Sequence, residues 1–355
     1  MHSTTKYFYF YIVIFFKYIL VDVVCVTHTT YRQANTNYAQ SLQNITTETK
    51  VNKRTLNNLS ILFANFIKDI RKAQLTQRPI FYKGLQPTLR GNPVHYKYLD
   101  LKFYATLYDT ENKIPAYCAY TLHFDHRRIS GRINGWYLNF LLNVNEQPKI
   151  EDYIGIGKLG FHRGHLYPQF YAAETQVMRR MTNLITNIAI QHGTFNINTW
   201  KRLEFGLFRE TRYECNSAGG ESFFLTGVIP SRRNFFNKIN IPKYFWTAVC
   251  CDISDAHELG RLNWSFAYIV ANDAKRTQNI DMYSVKDFRD IWLPQFGSLF
   301  TSPGEVECSS DPEKSINVIT KIINKNNKDR FFIRGELLRF SNRSRERSRT
   351  VGLMP

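Results

Sequence analysis

Phe161-His-Arg-Gly-His165-Leu166 and, further on, Asn183-Leu-Ile-Thr-Asn187-Ile-Ala-Ile-Gln191-His-Gly-Thr-Phe-Asn196-Ile-Asn-Thr-Trp200-Lys-Arg-Leu-Glu204 are the stretches whose reading decides the fold. They set an imidazole, His165, upstream of an amide, Asn196, and a carboxylate, Glu204. A neutral imidazole can take a proton from water near pH 7. A hard cation such as Mg2+ binds oxygen and keeps several of its waters, so one amide oxygen can anchor it. On an ideal helix eight residues advance about 80° beyond two turns, so Asn196 and Glu204 share a broad face. Glu204 is then placed to accept hydrogen bonds from water around a cation.

Working outward, residues 158–166 read as the strand that presents His165, with Gly160 and Gly164 as bends and Pro168 ending the pairing. Gly164 is expected to give the backbone freedom that lets His165 point into a cleft. Residues 172–181 have helix character, and residues 196–212 carry Ile197, Trp200, Leu203 and Leu207 at helical spacing. Trp200 and Leu203 read as core. Residues 101–108 and 114–124 flank the turn cluster Asp109-Thr-Glu-Asn112 and predict a hairpin. Residues 223–229, 245–252 and 265–272 read as buried strands, and 284–293 as a helix with a Ser cap. Beyond Lys314 comes one amphipathic stretch and then a polar tail that alternates Arg with Ser.

The chain has 355 residues and a formal net charge of +18. It is 43% hydrophobic and 15% aromatic, which excludes a disordered polyelectrolyte. So large an excess of positive charge points to an anionic partner, nucleic acid first, with an acidic membrane surface or glycan as the alternative. Arg127, Arg128 and Arg132 form a basic loop that either lines a substrate groove or is simply solvated.

Lys6 followed by an apolar run from Tyr7 to Phe16 reads as a secretory signal over residues 1–27. Lys17 and Asp22 interrupt what would otherwise approach the roughly 20 apolar residues of a membrane span. A signal-anchor over residues 7–26 is the alternative, and with a cleaved signal no stable membrane association is expected. Of six cysteines, five remain if a signal containing Cys25 is removed, enough for two disulfides and one thiol. Cys250 and Cys251 are adjacent and are expected to bond elsewhere than to each other. No pair with CxxC spacing occurs, which argues against a zinc-thiolate site. Residues 28–76 read as a polar lead-in with one possible helix, 77–300 as the compact domain, and 301–355 as a C-terminal extension.

These blocks resemble the DNA/RNA non-specific endonuclease family and its ββα-metal motif. The family pattern is Asp-Arg-Gly-His, then Asn-x-x-Pro-Gln-x-x-x-x-Asn-x-x-x-Trp-x-x-Leu-Glu. Here Asn187, Gln191, Asn196, Trp200, Leu203 and Glu204 keep its spacing, while His162 stands for the aspartate and Ile190 for the proline. The segments around Phe103–Asp109, Lys113–Tyr120, Leu225–Pro230 and Asn240–Cys251 are similar to the endonuclease domain-containing 1 branch, which is secreted or vesicular.

The resemblance implies an α+β fold with a mixed or antiparallel sheet and a metal-bearing helix packed beside it. It also implies a Mg2+-dependent nuclease acting on DNA or RNA, with His165 as base, Asn196 as metal ligand and Glu204 in support. Mn2+ is a second candidate cation. Arg163 either contacts phosphate or locks its loop, and Asn183 and Asn187 order the motif. His162 in place of the aspartate either repels the cation or points away, which leaves open a member that binds nucleic acid without cutting it.

Overall fold

The computed structural model describes residues 79–91, 93–122, 131–139, 141–143, 145–236, 238–253, 262–301, 308, 311–324, 329–339 and 342. The expected signal, the polar lead-in and the terminal Arg/Ser run lie outside the described residues. In chain order the elements are β1 (Thr88–Leu89), β2 (Tyr96–Asp100), β3 (Ala105–Asp109), β4 (Ile114–Leu122), β5 (Phe161–His165), α1 (Gln176–Met181) and β6 (Ile188–His192). A helical turn (Gly193–Phe195), a π turn (Asn196–Trp200) and α2 (Lys201–Glu214) then run on as one rod. The chain continues through β7 (Glu221–Ile229), β8 (Asn234–Phe235), β9 (Ile239–Asn240), β10 (Tyr244–Asp252), β11 (Trp264–Ala271) and β12 (Asn279–Tyr283). Last come α3 (Val285–Trp292), β13 (Phe296–Ser298), α4 (Pro312–Asn324) and β14 (Arg330–Ile333).

An eight-stranded sheet in the order β14-β12-β11-β10-β7-β4-β3-β2 forms the centre. Among its described strands only β12 and β14 run parallel, so the sheet is mixed and mostly antiparallel, giving the α+β class. Both of its faces are covered, which is why β7, β10 and β11 are nearly all buried rather than alternating with polar residues. One face packs on the motif side, with Tyr120, Phe224, Phe245 and Tyr268 beneath Trp200 and Leu203. The other packs Leu225, Trp246 and Ala248 against Phe288 and Phe296.

Side chains alternate across a strand. On β10, Phe245, Val249 and Cys251 therefore face the motif side, and Trp246, Ala248 and Cys250 face away. Cys251 bonds Cys215 at the end of α2, and Cys250 bonds Cys308 in the opposite layer. The two neighbours cannot bond each other because the pleat points them apart. Among the described residues Cys118 is the buried free thiol.

Several boundaries differ from the sequence reading for local reasons. The strand expected over 101–108 begins at Ala105, because Asp100 Oδ1 accepts from Lys102 N–H and Lys102 turns to φ 67° between β2 and β3. The helix expected from residue 172 begins at Gln176, where the Thr175 hydroxyl caps Met178 N–H. The strand expected from residue 158 is a 3-10 turn (Ile156–Leu159) until Phe161. The helix expected from Asn196 begins one turn earlier at Gly193. Ser284 caps α3, with its hydroxyl accepting from Asp287 N–H.

The extension beyond residue 300 supplies α4 and β14. Gly206 lets α4 approach α2 closely, since a Cβ there would lie 2.8 Å from Ile322 Cγ2. Lys314 and Lys321 on α4 both pair with the buried carboxylate of Glu214 on α2. β14 then hydrogen-bonds to β12 at the sheet edge.

The β5–β6 hairpin and its helix as the candidate site

The motif folds as an antiparallel hairpin, β5 with β6, followed at once by the helical rod. Asn272 fastens this hairpin to the main sheet. Its Nδ2 donates to Ile190 O and Pro242 O, and its Oδ1 accepts from His192 N–H. Asn187, fully buried, fastens the other end. Its Oδ1 accepts from Tyr167 N–H, and its Nδ2 donates to Tyr167 O and Thr182 O.

His165 ends β5 and is half-buried. Its Nε2 lies 2.9 Å from Asn183 Oδ1. Asn183 Nδ2 donates to the carbonyls of Ile133 and Gly135, so its other terminal atom is the oxygen. An oxygen only accepts, so His165 Nε2 carries the proton and Nδ1 carries the lone pair. The imidazole pKa is lowered to about 4. Burial is the main cause, the bond to Asn183 opposes it, and the charges of Arg132 and Arg163 add to it. The ring is therefore neutral at pH 7.

Trp136 lies against the same face of β5. Its ring is 5.2 Å from the His165 ring and sits under the Arg163 guanidinium at 4.6 Å. Arg163 is thus stacked on Trp136 beside the base. Among the basic-loop residues, Arg132 is exposed and close enough to depress His165. Arg127 and Arg128 lie outside the described residues.

His162, three residues before His165, contacts a different set. Its Nδ1 is 3.3 Å from Asn196 Oδ1. Asn196 Nδ2 donates to Gln191 Oε1. Gly164 makes room for this set and not for a left-handed turn: it is absent from the positive-φ glycines, and a Cβ there would lie 2.1 Å from Gln191 Oε1. The structure therefore brings His162, Gln191 and Asn196 together, and separately His165, Asn183, Trp136 and Arg163. No hydrogen bond joins the two groups among the described residues. Along β5, His162 and His165 have opposite parity, which accounts for the division.

The π turn alters the helix arithmetic. Lys201 N–H bonds Asn196 O, five residues back. Absorbing one residue in a wide turn leaves about seven α-spaced steps between Asn196 and Glu204, roughly two turns. The turn thus carries Asn196 and Glu204 toward one face, closer than an ideal helix would. Glu204 is half-buried, and its carboxyl pKa is raised to about 8. Burial is the cause, with Trp200 and Lys201 pulling it back. Its backbone carbonyl accepts from Tyr171 Oη at 2.7 Å, which ties the connection after β5 to α2.

A divalent cation has a specific chemistry to satisfy here. Among the described residues no three His, Cys, Asp or Glu side chains gather as a metal cage. The oxygen donors are one amide and one carboxylate that burial holds toward its neutral form. That pair suits a hard cation keeping most of its water, and a nearby cation would return Glu204 to its charged form. An amide oxygen has two lone pairs, and His162 occupies one of them on Asn196. The residues fit such an ion.

Trp136, Gln169 and Gln191 were not singled out as site residues from the sequence. Gln191 stands inside the motif, so spacing alone could have raised it. Trp136 and Gln169 reach Arg163, His165 and Asn183 only through the fold.

The profile of the DNA/RNA non-specific endonuclease family matches residues 86–291, more than half of the chain. The chain is also similar to the endonuclease domain-containing 1 protein of Homo sapiens, 25% identical over 263 residues, covering 66% of this chain and 49% of that one. The protein of that description from Mus musculus is 24% identical over 260 residues, with 66% and 49% covered. The chain spans about half the length of the relatives it matches.

Proposed function

The chain belongs to the DNA/RNA non-specific endonuclease family, and from that premise we propose that it hydrolyses phosphodiester bonds of DNA or RNA with little sequence preference. The observation that carries the reading is the contact of His165 Nε2 with Asn183 Oδ1: an amide oxygen only accepts, so the proton sits on Nε2 and Nδ1 is left to act as base. In the step, Nδ1 takes a proton from water as the new O–P bond forms and the P–O3′ bond breaks, and the leaving oxygen takes its proton from solvent. Asn183 holds the imidazolium that forms. Arg163, stacked on Trp136, presents a fixed positive charge beside the reacting phosphate.

Asn196 would hold a divalent cation, Mg2+ first and Mn2+ second, with Glu204 accepting hydrogen bonds from its water. Such an ion would supply charge neutralisation on the phosphoryl group and the departing oxygen of a phosphate that reaches both the His165 group and the Asn196 group. Contacts to phosphate carry no base code, which supports low sequence preference. The +18 charge supports a nucleic-acid substrate. Two disulfides support an oxidising, secreted or lumenal location. No helix among the described residues is long and apolar enough to cross a membrane.

One observation favours a second reading, a member that binds nucleic acid without cutting it. His162 stands where the resemblance puts an aspartate, and its Nδ1 lies 3.3 Å from Asn196 Oδ1. Plasmid nicking with Mg2+, Mn2+ or chelator decides between the two. Metal-dependent nicking lost in His165→Ala supports hydrolysis. Salt-sensitive binding with no nicking under either cation supports the binder.

A further inference from the structure

We propose that the outer face of α2, the helix that carries Glu204, is a stacking platform for the bases of single-stranded nucleic acid. The proposal rests on the reading of nucleic acid as substrate and narrows it to a strand whose bases are unpaired. Lys201, Phe205, Phe208 and Arg212 recur at i, i+4, i+7 and i+11, which is one face of a helix. Leu203, Leu207 and Glu210 on the opposite face are buried. Phe205 is 59% exposed, so burial in this fold does not account for the ring.

Phe205 is held as part of a ring cluster on this face. Phe170 stacks on it with centroids 5.9 Å apart and planes 30° apart, and Phe170 also packs on Phe208 at 5.4 Å. The Arg212 guanidinium lies 5.2 Å from the Phe208 ring centre. Phe170 belongs to the connection that follows His165, and Tyr171 bonds the carbonyl of Glu204. The platform therefore adjoins both His165 and Glu204 along the chain.

Charge selects the occupant. Lys201, Arg202, Arg209 and Arg212 all lie on or beside this face, with Arg202 paired to Asp329 and Arg209 to Glu210. An aromatic cluster rimmed by cations matches a chain of bases and phosphates, since every base has a π-face and every linkage a negative charge. A duplex keeps its base faces stacked inside, so the platform discriminates between the two forms.

The test is anisotropy of a labelled single-stranded oligonucleotide and of a duplex of equal length, titrated with the full chain in chelator. Phe205→Ala is expected to weaken single-strand binding about tenfold, in the range of one lost base stack, and to leave the duplex unchanged. Phe205→Trp is expected to keep the affinity. Equal loss on both forms, or no loss on either, overturns the proposal. So does a change in oligomeric state without a change in oligonucleotide affinity, which would make the face a protein contact. Binding is read without a divalent cation, so a protein that binds single strands through Phe205 but cuts nothing rejects the hydrolytic reading and keeps this one.

Discussion

His165 Nε2 donates to Asn183 Oδ1 at 2.9 Å, and Asn183 in turn donates to two backbone carbonyls, so the orientation of one buried amide dictates which imidazole nitrogen is basic. The base and its anchor come from different elements, the end of β5 and the turn after α1. They meet because the connection from β5 to β6 folds back on itself, closed by the bonds of Asn187 to Tyr167 and Thr182.

Removing either partner gives different losses. His165→Ala is expected to abolish nicking, with a fall of about 10²–10⁴ in rate, the span of general base catalysis. Asn183→Ala should cost less, about 10–100-fold, because the ring remains but its tautomer and aim are no longer fixed. It also strands two carbonyls and Gln169, so its thermal midpoint should fall. Equal nicking by His165→Ala and the unaltered protein would remove His165 from the mechanism.

The pH profile follows from the lowered imidazole pKa. A base with pKa about 4 is protonated and inactive below that value and neutral above it. Nicking should therefore rise with pH through about 4 and be level by pH 6, rather than rising near the ordinary histidine value. For stability, the unfolded chain takes up this proton near pH 6.5 while the folded chain resists until about 4. The neutral ring thus costs the fold stability as pH falls across that window, and His165→Asn should lessen the loss in calorimetry.

Glu204 predicts the opposite slope. Its folded pKa of about 8 exceeds its ordinary value of 4.5, so the unfolded chain releases the proton first and stability declines as pH rises from 4.5 to 8. In chelator, Glu204→Gln should flatten that decline. Adding Mg2+ at pH 8 should raise the melting point of the unaltered protein and not of Glu204→Gln, with about 2–4 °C for each kcal/mol of stabilisation. An identical Mg2+ response in both proteins would place the cation elsewhere.

His162 offers a gain-of-function test. His162→Asp removes the donor on Asn196 Oδ1 and adds a negative charge next to it. Divalent-cation affinity and metal-dependent nicking should rise about tenfold or more, as for changes in groups that orient a metal ligand. Weaker nicking in His162→Asp would show that the histidine is adapted to its place.

The disulfide from α2 to β10 should matter to the whole motif. Cys215→Ser opens a loop of 36 residues, worth about 4 kcal/mol on the chain-entropy account. A lowered denaturation midpoint with unchanged cleavage per folded molecule is the expected outcome.

How far the sequence reaches is clear from particular residues. Local pattern located the β3–β4 hairpin from its turn cluster, the helix through Trp200 and Leu203 from its 3.6 period, and the buried strands from their apolar runs. It also settled that Cys250 and Cys251 seek partners elsewhere, since a strand points neighbours to opposite faces. The chain alone likewise fixed the +18 charge and the order of His165, Asn196 and Glu204. Tertiary structure decided the rest. Trp136 and Gln169 come from segments with no motif and meet the hairpin only by packing. Gly164 serves the Gln191 side chain across the hairpin, a close approach no local pattern encodes. The π turn, the tautomer of His165 and the pairing of His162 with Asn196 depend on contacts between groups distant in sequence, where burial and hydrogen-bond partners, rather than periodicity, set the outcome.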